Sequence, residues 1–227
     1  MIEDQPPARP AQIRRPRQKR SQERFEAILD AAARVLKDRE PGDVSIYTLA
    51  EEAEMSPASI YHFFPDAQHV FAALAERYFG IFSDGMNPVS DTPFATWQSL
   101  VDFRYEASRC FYNANIAARK IIFGAGSNWT IRARDLELDR ELALSAIAQI
   151  RQCFVLPEIP GLVDRVTETI VLNDSLWALY NHRYGYLPDH EEEYVRRARF
   201  AHMRTYLPEF LVQREIEESD AASEVVA

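Results

Sequence analysis

Glycine is scarce in this sequence, seven residues of 227, against thirteen prolines. So few glycines leave little for hairpin turns or phosphate-binding loops, and the prolines suit helices with sharp boundaries. Cysteine is scarcer still. Cys110 and Cys153 stand alone, with no CxxC pair and no metal-ligand spacing, which excludes a disulfide framework and fits a reducing cytoplasm. Long apolar runs are missing, so no membrane span is predicted, and no apolar stretch follows the N-terminal arginines as it would in a secretory signal. Catalytic signatures are missing as well: no Gly-x-Ser-x-Gly elbow, no phosphate loop, no His-Glu-x-x-His. Gly124-Ala125-Gly126 lacks the third glycine of a dinucleotide fingerprint and reads as a helix stop. His182, His190 and His202 read as solvated or core histidines. No enzyme activity, no cofactor and no metal site are predicted.

What is present describes a globular chain. Hydrophobic residues make up 47% and charged residues 27%, which excludes wholesale disorder and allows one or two domains with a real core. The charge is unevenly placed. Residues 1–24 hold seven basic side chains against Glu3, Asp4 and Glu23, so the rest of the chain carries a net charge of −13 out of the total of −9. This basic leader contains Pro6, Pro7, Pro10 and Pro16 and is expected to be an extended arm that seeks a polyanion, nucleic acid first, unless it is a solubilising tail.

From Ser21 the pattern turns helical. Phe25, Ile28, Leu29, Ala32, Val35 and Leu36 share one face, with Ser21 placed to cap and Pro41-Gly42 to stop the helix. A second short helix starts near Ser45 and presents Ile46, Leu49, Ala50 and Ala53. A third opens with Ser56 as its cap and Pro57 at its first position and ends near Phe64-Pro65. Asp66 caps a fourth, carrying Val70, Phe71, Leu74, Tyr78 and Phe82, which Gly85 and Asn87-Pro88 close. Two short helices joined by a few residues and held by two longer ones make a helix-turn-helix. Small residues at the start of the third helix let its tip enter a major groove, with Tyr61 and His62 on the outer face and Ile60 and Phe64 anchoring the inner one.

The run from Ser45 to Phe71, SIYTLAEEAEMSPASIYHFFPDAQHVF, resembles the N-terminal domain of TetR/AcrR-family transcriptional regulators. Ser45, Leu49, Ala50, Ala53, Ser56, Tyr61 and Phe64 match the family pattern, and Met55, Ile60 and Val70 are close substitutes. Glu54 stands where the family turn has glycine, so the turn must tolerate a Cβ or carry mild strain. Ala67 stands where the family places a phosphate-gripping lysine. Residues 25–80 hold four basic side chains against ten acidic ones, poor material for a duplex, because neutralising phosphates supplies most non-specific affinity. The arm is therefore expected to supply the missing charge along the minor groove or the backbone. The expected DNA-binding residues are Arg14, Arg15, Arg17, Lys19, Arg20, Ser45, Tyr47, Ser56, Pro57, Ala58, Ser59, Tyr61 and His62.

The remaining chain reads as helices: one from Thr92-Pro93, one from Asn115 to Phe123, one from Asn128 to Phe154, and, after a break at Pro157–Gly161, Leu162–Tyr184 and Asp189–Leu207. The first of this last pair is apolar around most of its circumference, which fits contact with a second subunit, or burial as a core helix of a monomer. The resemblance implies a homodimer through these last two long helices and a ligand pocket inside the bundle. Candidate pocket residues are Phe82, Phe103, Arg109, Phe111, Tyr112, Trp129, Asn173, Trp177 and Tyr180. Asn173 is the candidate polar handle, with satisfaction by backbone as its alternative.

The expectation is an all-α fold: a basic arm (1–20), a three-helix helix-turn-helix domain (21–66), a C-terminal bundle for ligand binding and dimerisation (67–215) and an acidic tail (216–227). Its partners would be double-stranded operator DNA, a largely apolar small-molecule effector and a second copy of itself, with no membrane. On that basis the protein is expected to be a cytoplasmic repressor that an effector releases. An interaction protein that kept the fold, or an activator with weakened or ligand-independent operator binding, stays open.

Overall fold

The computed structural model of the chain describes residues 16–86, 94–124 and 128–214. Arg14 and Arg15, the Asn87-Pro88 stop, the Thr92-Pro93 start, Ala125-Gly126 and the acidic tail lie outside the described residues. Among those described, nine α-helices, one 3-10 turn and one two-stranded ribbon make up the regular structure.

Helix α1 (Lys19–Asp38) buries the predicted stripe of Phe25, Ile28, Leu29, Ala32, Val35 and Leu36. It begins two residues before the expected Ser21 cap. Gln18 is the N-cap, and its carbonyl accepts from Ser21 N and Gln22 N, both at 2.9 Å. Residues 18–24 contain no proline or glycine and several strong helix formers, so the helix extends into the basic leader. Lys19 and Arg20 therefore sit on its first turn.

A 3-10 turn over Pro41–Asp43 leads to α2 (Ile46–Glu52), which a capping box opens. Ser45 Oγ accepts from Thr48 N at 3.2 Å, and Ser45 N donates to Thr48 Oγ1 at 3.4 Å. Helix α3 (Pro57–Tyr61) starts with Pro57 at its first position, and Ser56 Oγ accepts from Ser59 N at 3.3 Å. It ends three residues before the predicted Phe64, because Phe63 N and Phe64 N both fold back onto Ile60 O at 2.9 Å. Helix α4 (Ala67–Met86) follows, with Asp66 Oδ1 accepting from His69 N at 3.0 Å.

Beyond it lie α5 (Trp97–Ala114), α6 (Ile116–Ile122), α7 (Trp129–Cys153), α8 (Leu162–Tyr184) and α9 (Asp189–Met203). Thr96 caps α5, with Ser99 N donating to Thr96 Oγ1 at 3.2 Å. Asn128 caps α7 in the same way, through Ile131 N at 3.0 Å. Gly185 ends α8 at φ 74°, a left-handed position that suits glycine. Helix α9 stops at Met203, short of the predicted Leu207. A feature the sequence did not reveal is the antiparallel ribbon of β1 (Phe154–Val155) and β2 (Val212–Gln213). It ties the segment after α9 back to the end of α7.

One core runs from the head into the bundle. Ile28, Leu36, Leu49, Ile60 and Phe64 are continuous through Val70, Phe71 and Leu74 of α4 with Tyr112, Ile121, Leu138 and Trp177. Polar ties reinforce α4: Arg77 Nη1 reaches Asp30 of α1 at 2.7 Å, and Arg134 of α7 reaches Glu76 at 3.1 Å. Helix α4 is thus clamped between head and bundle. A second core, around Trp97, Ile150, Phe154 and Phe200, closes the far end.

Candidate nucleic-acid interface and bundle cavity

The turn between α2 and α3 is built from backbone bonds. Met55 N donates to Ala50 O at 2.9 Å and Glu54 N to Glu51 O at 3.2 Å, the paired bonds of a Schellman motif, whose left-handed residue just past the helix end favours glycine. Glu54 occupies that position with φ 53°, and no other non-glycine residue has positive φ among the described residues. Met55, partly buried, packs against the core cluster that contains Leu49 and Ala50, in keeping with the apolar contact that often accompanies this motif. The strain anticipated from the sequence is therefore located in one residue.

With Ile60 buried beneath it, α3 presents its other side to solvent. Ser56, Ala58, Tyr61 and His62 are exposed, and Pro57 and Ser59 are half-buried. The Ser56 and Ser59 hydroxyls lie 2.9 Å apart, a small polar tip. His62 is held edge-on against Phe63, with centroids 4.9 Å apart. At the start of α2, Ser45 is exposed and Tyr47 is 66% exposed; Tyr61 is 49% exposed. Large aromatics left this open have hydrogen-bonding tips ready for phosphate or base edges. Arg17, Lys19 and Arg20 are exposed at the start of α1. The head's cations are partly committed: Arg34 pairs with Glu52 at 2.5 Å, and Arg77 with Asp30.

Inside the bundle is a cavity of about 70 Å³, walled by α4, α5, α7, α8 and α9. Of the candidate pocket residues, Phe82, Tyr112 and Trp177 form part of its wall. Phe111 stands behind them, 5.2 Å from Phe82 and 5.3 Å from Tyr112 between ring centroids. The other candidates lie elsewhere. Phe103 and Trp129 are 53% and 72% exposed and face away from the cavity. Arg109 pairs with Glu106 at 2.7 Å and with Asp189, and donates to Leu187 O at 3.1 Å, tying α5 to the start of α9. Tyr180 is buried against Tyr184, outside the wall. Asn173 is buried, and its Oδ1 accepts from Arg199 Nη1 at 2.8 Å; a side chain on α9 holds that oxygen, where the sequence offered a ligand or backbone, while its buried Nδ2 has no hydrogen-bond partner among the described residues. The three histidines do not converge. His202 meets Thr169 and Glu168, His190 the ring of Tyr184, and His182 is exposed.

Sequence reasoning missed the polar part of the cavity. Asp135 and Asp139 on α7 and Asp174 on α8 line it, each with an oxygen within 4.8 Å of the others. Asp135 and Asp139 are almost wholly buried. Burial, reinforced by the charge of Asp135, pushes the Asp139 carboxyl up to about 8. Burial raises Asp174 strongly too, with Asp139 and Asp135 adding to it. In Asp135 burial also outweighs the neighbouring Arg132 guanidinium. Acids held this way are protonated, or neutralised by a partner. The available signal was the four-residue spacing of Asp135 and Asp139, which places both on one helix face beside apolar Ile131, Leu138 and Leu142.

Residues 28–74 match the family of bacterial regulatory proteins described as the tetR family. Among solved structures, the chain is similar to a TetR-family transcriptional regulator from Streptomyces coelicolor, with 17% identity over 81% of this chain and 99% of that one and a TM-score of 0.63. A TetR transcriptional regulator from Rhodococcus sp. RHA1 is 18% identical over 82% and 97%, with a TM-score of 0.60. SmeT, the repressor of the Stenotrophomonas maltophilia multidrug efflux pump SmeDEF, is 14% identical over 82% and 91%, with a TM-score of 0.56. At these identities the likeness establishes the fold. No curated protein matches the sequence. No described helix is long and apolar enough to cross a membrane.

Proposed function

Because this chain carries the N-terminal domain of the tetR family on the fold of TetR-family regulators, we propose that it is a repressor that binds operator DNA and is released when a small molecule occupies the bundle cavity. Support comes above all from α4. Its N-terminal half packs Val70, Phe71 and Leu74 into the core that holds Ile60 of α3, and its C-terminal half places Phe82 in the cavity wall. A shift of Phe82 therefore reaches the reading helix through one rigid element. A ligand weakens DNA binding only to the extent that it prefers the incompetent arrangement.

Two reading helices must reach successive major-groove turns, roughly 34–36 Å apart on a near-palindromic site, which calls for a dimer. Helices α8 and α9 are the proposed interface. Leu179 is exposed, and Val171, Leu172 and Leu176 are only partly covered within this chain, a surface that suits a mate. The arm, with Arg14, Arg15 and Arg17, together with Lys19 and Arg20 on the first turn of α1, supplies the cations for phosphate that the acidic head lacks.

That acidic head also favours a second reading, an interaction protein that retains the fold. Fluorescence anisotropy with duplexes from around its own gene, at about 50 and 200 mM salt, separates the two. A repressor prefers one duplex over a scrambled one, and the double variant Tyr61→Ala, His62→Ala loses that preference while staying dimeric. Failure to bind any duplex at the lower salt, with the arm intact, rejects operator binding.

A further inference from the structure

Asp139 Oδ2 is buried and has no hydrogen-bond partner, although it belongs to a residue in a cavity wall. An acceptor left this way bears its desolvation penalty uncompensated, and Asp135 and Asp174 each bring a carboxylate oxygen within 4.8 Å of one of Asp139. Arg132 forms an ion pair with Asp135 and acts on Asp139 and Asp174 only through the longer-range field of its charge, so neither of these two has an ion-pair partner among the described residues. Arg104, the other charged residue of the wall, donates to Gln149 Oε1 at 2.5 Å. Two or three desolvated acids facing one space suit a cation.

The rest of the wall decides which kind. A hard divalent ion takes six or more oxygen ligands, and this cavity has few to spare. Thr169 Oγ1 is already engaged with Arg165 O, His202 and Tyr206, and Ser108 Oγ donates to Arg104 O. Most of the remaining lining is apolar or aromatic, including Phe82, Leu138, Tyr112 and Trp177. A primary ammonium needs only three acceptors. Three oxygens each about 2.8 Å from one nitrogen lie about 4.6 Å apart, within the observed separation. Aromatic faces attract the cation and accommodate its hydrocarbon body. A space of about 70 Å³ limits that body to a few carbon atoms.

Building on the effector reading above, we propose that the cavity is an amine site: Asp139 and Asp174, with Asp135, hold a protonated primary amino group, and the short alkyl body lies against Phe82, Tyr112 and Trp177. The effector is then a small cationic amine, where the sequence had suggested a largely apolar compound.

Calorimetric titration of the full chain with ethylammonium chloride tests this, with ethanol as the uncharged counterpart and MgCl2, CaCl2 and MnCl2 as metal probes. The amine is expected to bind more tightly than the alcohol, and Asp139→Asn and Asp174→Asn are each expected to weaken it by about tenfold, the loss of one charge-assisted bond. Equal binding of amine and alcohol, amine binding unchanged in both variants, or binding of a divalent ion alone overturns the amine site. DNA release is read separately on the same samples. Amine binding without release supports the amine site and rejects the effector reading, whereas release by the alcohol with no preference for the amine does the reverse.

Discussion

Replacing Glu54 by glycine is expected to raise both stability and DNA affinity, through two separable effects. The backbone effect follows from φ 53°. A side chain with a Cβ costs about 1–2 kcal/mol in the left-handed region, while glycine surrenders about 0.5–1 kcal/mol of additional chain entropy on folding. The net gain is about 0.5–1 kcal/mol. For a chain of this size 1 kcal/mol moves the midpoint by about 2–4 °C, so Glu54→Gly should melt about 1–4 °C higher by calorimetry. The charge effect follows from exposure of Glu54 in the turn before α3. A like charge about 10 Å from a phosphate in water costs about 0.4 kcal/mol, so its removal should tighten DNA binding about twofold at low salt. Glu54→Ala separates the two, because it keeps the Cβ and loses the charge. It should bind DNA about as tightly as Glu54→Gly and show no rise in melting temperature. An equal rise in both variants would refute strain at this position.

Deletion of residues 1–20 removes six basic side chains, and each phosphate that thereby goes unneutralised should lower the slope of log affinity against log salt by about 0.9; unchanged affinity at moderate salt rules out a DNA role for the arm. Ile60→Ala empties a fully buried site beneath α3 and should cost about 2–5 kcal/mol in urea unfolding. Asp139 has a folded-state value of about 8 against about 3.9 in an unfolded chain. Its stabilising contribution is therefore complete below pH 3.9 and is lost as pH rises through 8. Relative to Asp139→Asn, the parent should lose about 2 kcal/mol between pH 6 and pH 8; stability differences that stay constant across that range exclude the raised carboxyl.

Helices whose signals are local are legible in the sequence alone. Ser45, Ser56, Asp66, Asn115 and Asn128 mark starts that fall within a residue of the observed ones, because a cap, a first-turn proline and an apolar stripe act within one or two turns of chain. The exposed face of α3 was legible for the same reason: Ile60 and Phe64 bury one side and so turn Ser56, Ala58, Tyr61 and His62 outward. Errors appear where a residue had two compatible roles. Ser21 could cap, but the helix-forming residues before it carry the helix past it. Phe103 and Trp129 could wall a pocket, but the rotation of α5 and α7 about their axes leaves them in solvent.

The cavity's chemistry depends on pairs far apart in the chain. Asp174 faces Asp139 only because α8 lies along α7, and Arg199 claims Asn173 only because α9 folds back onto α8. Local propensity sets each helix and its apolar stripe. Which polar groups meet inside, and whether each finds a partner, is settled by the packing of helices from distant parts of the chain, since desolvation and charge act through space and have no period along the sequence.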